Sequence, residues 1–195
     1  MKKIIIAEKP SVAQEYAKVL GVSAKNRQGF IENDTWIVTW TVGHLVTLSY
    51  PEKYNTVLKE WKMDTLPFIP DNYKYEIIDA TKKQFEVVKS LYNRPDISAI
   101  YYAGDSGREG LYIQMLVRML AGHNPQAQEK VVWINSQTED EILNGISEAK
   151  SLTEYKNMSD AAYMRGIADY LVGINFSRIL SILYAPMLNT GSSQK

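Results

Sequence analysis

Two stretches of this 195-residue chain have residue types and spacing that could carry chemistry together: Glu8-Lys9, and Asp105 with Glu109 four residues later. Each follows a short β-prone apolar run, Ile4–Ala7 in the first case and Ile97–Ala103 in the second. In open α/β sheets ligands bind outside the carboxyl ends of the strands, so acids at two strand ends are placed to meet. Clustered carboxylates offer hard oxygens suited to Mg²⁺, which takes few protein ligands and completes its shell with water and phosphate. Glycines at 104, 107 and 110 permit close backbone approach, and a helix starting near Arg108 would aim its positive end at the same place. Taken singly, each piece has an ordinary reading: a solvated Glu-Lys turn, an N-cap aspartate, a first-turn acid. The glycines form neither a P-loop, for want of Gly-Lys-Ser/Thr, nor G-x-G-x-x-G.

The elements that must position these residues follow from periodicity. Lys3–Ala7 reads as a strand, and Ser11–Leu20 as a helix with Ser11 as N-cap and Gly21 as its stop. Phe30–Glu32 and Thr35–Val42 read as a hairpin around Asn33-Asp34, and residues 45–72 as a long loop with short pieces. Tyr73–Ile78 is a strand and Lys82–Tyr92 a helix with Phe85, Val88, Leu91 and Tyr92 inward. Ile97–Ala103 is the central-strand candidate, followed by a helix from about Arg108 to Leu120 and a buried strand at Lys130–Ile134. Thr138 and Glu141 have capping-box spacing. Alternating strands and helices predict an α/β fold: a mostly parallel four-stranded sheet between helices, over residues 1–150. From 151 to 195 the pattern becomes all-helical, through about Leu183, with an unstructured tail at Asn189–Lys195.

Composition narrows the class. The absence of cysteine excludes disulfides and thiolate–metal sites, and two histidines are too few for a histidine metal site. No apolar run approaches about 18 residues, which predicts a soluble cytoplasmic protein without a membrane segment. The formal net charge of zero argues against a strongly basic nucleic-acid binder. The average hides an asymmetry: residues 1–30 carry a net of +4, residues 129–160 a net of −4. A local positive groove can still hold phosphate.

Five blocks carry a family resemblance. Ile4-Ile5-Ile6-Ala7-Glu8-Lys9-Pro10-Ser11-Val12-Ala13 resembles the opening of type IA DNA topoisomerases, especially the topoisomerase III kind. Trp40-Thr41-Val42-Gly43-His44-Leu45, with Pro51 and Tyr54, is similar to that group's next block. Gly104-Asp105-Ser106-Gly107-Arg108-Glu109-Gly110 resembles the Toprim acidic motif, and Trp133 through Ser136-Gln137-Thr138, with Ile142, the block after it. Arg165, Asp169, Leu171-Val172-Gly173, Asn175 and Arg178 resemble the entry into the family's DNA-binding helices. The blocks run from residue 4 to about 180 in family order. Two positions depart from the pattern. Gly107 stands where Asp-x-Asp-x-Glu has its second aspartate, a Ser-Gly form similar to topoisomerase III-like proteins of bacterial mobile elements, and Leu111 stands where those proteins usually have glutamate.

The resemblance implies a Toprim domain at 1–150, the start of a helical DNA-binding domain at 151–195, and further domains of the same polypeptide beyond. It implies a metal site of Glu8, Asp105 and Glu109 holding Mg²⁺, with Glu8 and Lys9 catalytic and single-stranded DNA as partner. Lys9, Arg108, Arg165, Asn175 and Arg178 would contact that DNA. In the family a tyrosine attacks a DNA phosphate to give a 5′-phosphotyrosyl link and a free 3′-hydroxyl. None of the thirteen tyrosines here stands in that motif, so the chain alone is expected to be inactive. Two alternatives are a Toprim nuclease or primase-like enzyme, and a non-catalytic DNA-binding module with a decayed acidic site. His44 reads as a structural histidine bonding backbone, with contact to a phosphate or carboxylate as the alternative. Arg165 and Asp169 also have the spacing of an ordinary helix pair.

Overall fold

Ile4, Ile5, Ile6 and Ala7 are completely buried, the condition of a strand with neighbours on both edges and layers on both faces. That is their place in the computed structural model of the chain, which describes residues 1–23 and 28–184. The elements run β1 (Lys2–Ala7), α1 (Pro10–Val19), β2 (Phe30–Glu32), β3 (Trp36–Trp40), β4 (Val46–Leu48), β5 (Tyr75–Ile77) and α2 (Lys82–Tyr92). Then follow β6 (Ile97–Ala103), α3 (Arg108–Ala121), β7 (Gln128–Val131), α4 (Glu139–Ser147), β8 (Lys150–Ser151) and α5 (Lys156–Tyr184). The tail at Asn189–Lys195 lies outside the described residues.

The fold is mixed α/β with a mostly parallel central sheet, as predicted. The sheet has six strands among the described residues, in the order β2-β3-β1-β6-β7-β8, not four. Its parallel heart is the four strands β3-β1-β6-β7, and β2 and β8 add antiparallel edges. The β2–β3 hairpin is closed by Asn33, whose Oδ1 accepts from the N–H groups of Thr35 (2.9 Å) and Trp36 (2.7 Å). Alternation along β1 and β6 sends Ile5, Ala7, Ala99, Tyr101 and Ala103 to one face, where they pack with Val12, Ala13 and Tyr16 of α1 and Ile142 of α4. On the opposite face, Tyr92 of α2 donates to the Tyr102 hydroxyl (2.7 Å), which donates to Glu129 Oε1 (2.6 Å). Arg118 of α3 grips the same carboxylate through Nε (2.6 Å) and Nη2 (2.7 Å), so the buried polar chain ends on a paired charge.

Helix starts depart from the sequence reading in two places. Helix α1 begins at Pro10 with Lys9 as its N-cap, because proline at the first helical position needs no N–H partner. Thr138 does cap α4 by position, but it makes no side-chain cap bond. Glu141 Oε1 accepts instead from the Asn135 N–H at 3.5 Å, so no capping box closes.

The chain divides into two compact units, residues 1–46 with 77–162, and residues 47–76 with those from 163 onward. The first holds the six-stranded sheet. In the second, the loop predicted at 45–72 carries 3₁₀ turns at Pro51–Lys53, Thr56–Lys59 and Met63–Thr65, and β4 and β5 form a two-stranded ribbon. Its core is Leu48, Phe68, Tyr170 and Ile174, and the Tyr170 hydroxyl donates to the Ser49 carbonyl at 2.7 Å. The all-helical segment is one 29-residue helix, α5, after a 3₁₀ turn. By length and composition alone the helical run Leu152–Tyr184 could cross a membrane, although it holds no unbroken apolar stretch of that length. It nonetheless buries Tyr170 and Ile174 against Leu48 and Phe68, as the core helix of a globular unit does.

Candidate active site at the carboxyl edge of the sheet

Ala7 and Ala103, the last residues of β1 and β6, are register partners in a parallel pair, so Glu8 and the Gly104-Asp105 turn leave the sheet side by side. The Glu8 side chain does not reach into solvent; the residue is 7% exposed. Its Oε2 accepts from the Asp105 N–H at 3.0 Å, which fixes the carboxylate against the turn. Its backbone carbonyl accepts from the Thr41 hydroxyl at 2.9 Å and the Gly43 N–H at 3.4 Å, so the segment after β3 clamps it from the other side. Lys9 Nζ stands 3.2 Å from Asp105 Oδ2 and 3.4 Å from Glu8 Oε1. The hydrogen bond to Asp105 first, and the charge of Glu8 second, raise the Lys9 ammonium above the ordinary lysine range.

Glycine is required at two places in the turn. A Cβ on Gly104 would lie 2.9 Å from the Gly110 carbonyl oxygen, and one on Gly110 would lie 2.2 Å from that of Asp105. The turn and the first turn of α3 therefore touch backbone to backbone. Gly107 is different: a Cβ there meets nothing within 4 Å, and its φ of 165° is extended backbone open to any residue. Ser106 donates to the Ile134 carbonyl and ties the turn to the segment after β7. Leu111 is buried in the core, so its side chain packs inside the fold and leaves the carboxylates of the edge to Glu8, Asp105 and Glu109.

Two neighbouring parallel strands, β1 and β6, thus deliver an acid, a lysine and an aspartate beside a glycine to one edge. The chain matches the Toprim domain family over residues 3–136. It belongs to that family. Over 194 residues the Toprim chain is also 41% identical to a DNA topoisomerase 3 of Staphylococcus saprophyticus, and 40% identical to those of Staphylococcus haemolyticus and Staphylococcus aureus. All of this chain takes part in each comparison, and it spans 27% of the length of those relatives.

The residues singled out in the Toprim sequence are not all brought together. Glu8, Lys9 and Asp105 meet. Glu109 lies in the first turn of α3 with its Oε1 2.9 Å from His44 Nε2, and His44 packs edge-on to Tyr112. The reading of His44 as a backbone-bonding residue is corrected by this carboxylate contact. Arg108 is exposed at the start of α3. Arg165 is exposed and its Nε lies 3.7 Å from Asp169, as the spacing predicted. Asn175 accepts from the Phe68 N–H (2.6 Å) and donates to the carbonyls of Phe68 and Leu171 (both 2.9 Å). Arg178 is 1% exposed, over the Trp61 ring and 4.0 Å from Glu52. A DNA-facing role for Asn175 and Arg178 therefore rests on the resemblance alone. Thr41, which holds the Glu8 carbonyl, escaped the sequence reading; its only signal was its place in the Trp-Thr-Val-Gly-His-Leu block.

A divalent cation is what the resemblance implies at this edge. Among the described residues no three acids or histidines converge as a cage. Asp105 and Glu109 present hard oxygens and are well exposed, with side chains 57% and 69% accessible, whereas both oxygens of Glu8 are already engaged. The donor set fits a cation held in the open manner of Mg²⁺, through one or two carboxylates with water and phosphate completing the shell.

Proposed function

We propose that this chain is the Toprim-bearing N-terminal part of a type IA DNA topoisomerase of the topoisomerase III kind, acting on single-stranded DNA in the cytoplasm. Residues 1–150 form the Toprim domain and 151–195 the start of the helical DNA-binding domain. The whole protein cuts and rejoins one strand through a 5′-phosphotyrosine, and this chain, without that tyrosine, does neither by itself. The observation that carries the reading is the meeting of Glu8, Lys9 and Asp105 at the carboxyl edge.

The residues divide the work by their surroundings. Glu8, held against the turn and largely out of water, is placed to give a proton to the leaving 3′-oxygen as the strand is cut and to take it back as the strand is rejoined. Lys9 neutralises charge that grows on the phosphate. Asp105 and Glu109 hold Mg²⁺, which when bound positions the 3′ end for rejoining. Arg108 and Arg165, both exposed, contact phosphates, which position a strand without reading its sequence.

The test is an NMR titration of the chain with Mg²⁺, comparing wild type with Asp105→Asn. Saturable shifts centred on Asp105 and Glu109, lost in the variant, support the reading. Their absence at millimolar Mg²⁺ favours the second reading, a non-catalytic DNA-binding module, which Gly107 and the lack of a three-acid cluster among the described residues support. Covalent trapping of the chain on an oligonucleotide would overturn the assignment of the nucleophile to another part of the protein.

A further inference from the structure

Beside Asp105 opens a cavity of about 270 Å³ that the chemistry above leaves unused. It lies within the first compact unit, bounded by α1, the turn after β6 and the segment after β7. Its apolar lining comes from Val12, Tyr16 and Ile134, and its polar lining includes the amide side chains of Asn135 and Gln137. No lysine, arginine or histidine lines it, so it is not itself a phosphate pocket. Asp105 is common to the cavity and to the acidic site, which makes the two adjacent.

The dimensions and the chemistry select one kind of guest. A cavity of about 150 Å³ already accepts benzene, and pockets for drug-sized ligands start at about 300 Å³. The space therefore suits one flat ring system rather than a whole nucleotide. The side-chain amides of Asn135 and Gln137 sit on an exposed segment and make no hydrogen bond with other described residues. An amide offers a donor and an acceptor side by side, the pattern that matches the edge of a base. Apolar walls with a few hydrogen-bonding groups are how proteins hold a base taken out of its stack.

We propose that this cavity is a nucleobase subsite. With the 5′-phosphate of a nucleotide of single-stranded DNA at Lys9, the base of that same nucleotide enters the cavity, lies against Tyr16, Val12 and Ile134, and has its edge read by Asn135 and Gln137. The inference rests on reading the acidic edge as a DNA-phosphate site. It adds what that reading lacks, a place where this domain distinguishes one base from another.

The experiment uses the 195-residue chain and two probes, deoxyadenosine 5′-monophosphate and 2-deoxyribose 5-phosphate, followed by NMR. The nucleotide is expected to shift the Asn135 and Gln137 side-chain amide signals and the Tyr16 ring saturably. The base-less sugar phosphate is expected to move only signals around Lys9 and Asp105. Asn135→Ala and Gln137→Ala, at exposed positions that leave the fold intact, should each weaken the nucleotide by roughly fivefold and leave the sugar phosphate unchanged. Shifts at Lys9 with none in the cavity, an equal response to both probes, or full affinity in both variants would overturn the subsite while the phosphate reading stands. No response at Lys9 or Asp105 to either probe would overturn both.

Discussion

The Lys9 ammonium stands 3.2 Å from the Asp105 carboxylate, a contact made across 96 positions of sequence. With Glu8 also 3.4 Å away, Lys9 is a built-in counter-ion at the edge where an external cation would bind. Replacing it by methionine has two opposed consequences. Mg²⁺ affinity of the chain should rise a few-fold, because the acids lose their internal partner. Single-stranded DNA affinity should fall, and the slope of log affinity against log salt should shrink by roughly 0.7, the share of one phosphate contact. Calorimetry with Mg²⁺ and DNA titrations at several salt concentrations measure both; an unchanged salt slope would remove Lys9 from the phosphate.

Gly107→Asp restores the second acid of the Toprim pattern at a position with open space around its Cβ. The variant should fold with wild-type stability and bind Mg²⁺ about tenfold more tightly, since affinity rises with the number of charged ligands. Equal Mg²⁺ affinity in the two proteins would mean that residue 107 does not face the cation.

Gly110→Ala should be severe where Gly107→Ala is silent. The added methyl at 110 lands 2.2 Å from the Asp105 carbonyl oxygen, against backbone that cannot give way cheaply. Urea denaturation should show a loss of about 2–3 kcal/mol for the first variant, in the range of overpacking, and almost none for the second.

Glu129→Gln removes the charge at the end of the Tyr92–Tyr102 chain and strands the Arg118 guanidinium. The Glu129 carboxylate is largely buried, so the expected loss is about 3 kcal/mol by the same assay. A double variant that also replaces Arg118 by methionine should recover part of it.

Acid should destabilise the protein in a defined window. The Arg94 hydrogen bonds bring Asp96 down to about 2. Burial pushes Glu32 up, but the hydrogen bonds from Arg94 and Lys2 outweigh it and leave the group below its ordinary value. Burial likewise pushes Glu129 up, and Arg118 and Tyr102 bring it below. A carboxyl with a lower pKa folded than unfolded stabilises fully above the unfolded value and loses that contribution as pH falls through the folded one. Stability should therefore be level above about pH 5 and decline steadily toward pH 2. Arg94→Met should lower the plateau and flatten the part of the decline due to Asp96 and Glu32.

Much of the fold was legible because burial on both faces leaves a plain trace: Ile4–Ala7 is an apolar run and Ile97–Ala103 is one broken only by Ser98, and both are inner parallel strands. Strand β8 left none, being two exposed residues, Lys150 and Ser151, that join the sheet only by pairing with Lys130 and Val131. Glu8 and Asp105 could be found because acids at strand ends have a topological meaning. His44 and Glu109 could each be singled out, but not their contact with one another, since 65 positions separate them and no local pattern pairs them. The burial of Arg178 left no local trace for a related reason. Arginine usually seeks water, and what buries it here is Trp61 and Glu52, far off in the chain.

The position of β1 inside the sheet also governs the order of events during synthesis. Its partners β3 and β6 both follow it in sequence, and the second is complete only at Ala103. At about 5–20 residues per second, the ribosome takes on the order of 5–20 s to travel from Ala7 to Ala103. For that time Ile4–Ile6 has at most one neighbouring strand, with an unpaired edge available to any other extended chain. Nascent chains arrested before residue 97 should therefore be captured by chaperones that bind apolar segments, and chains arrested well after residue 131, with β6 and β7 both outside the ribosome, should be released.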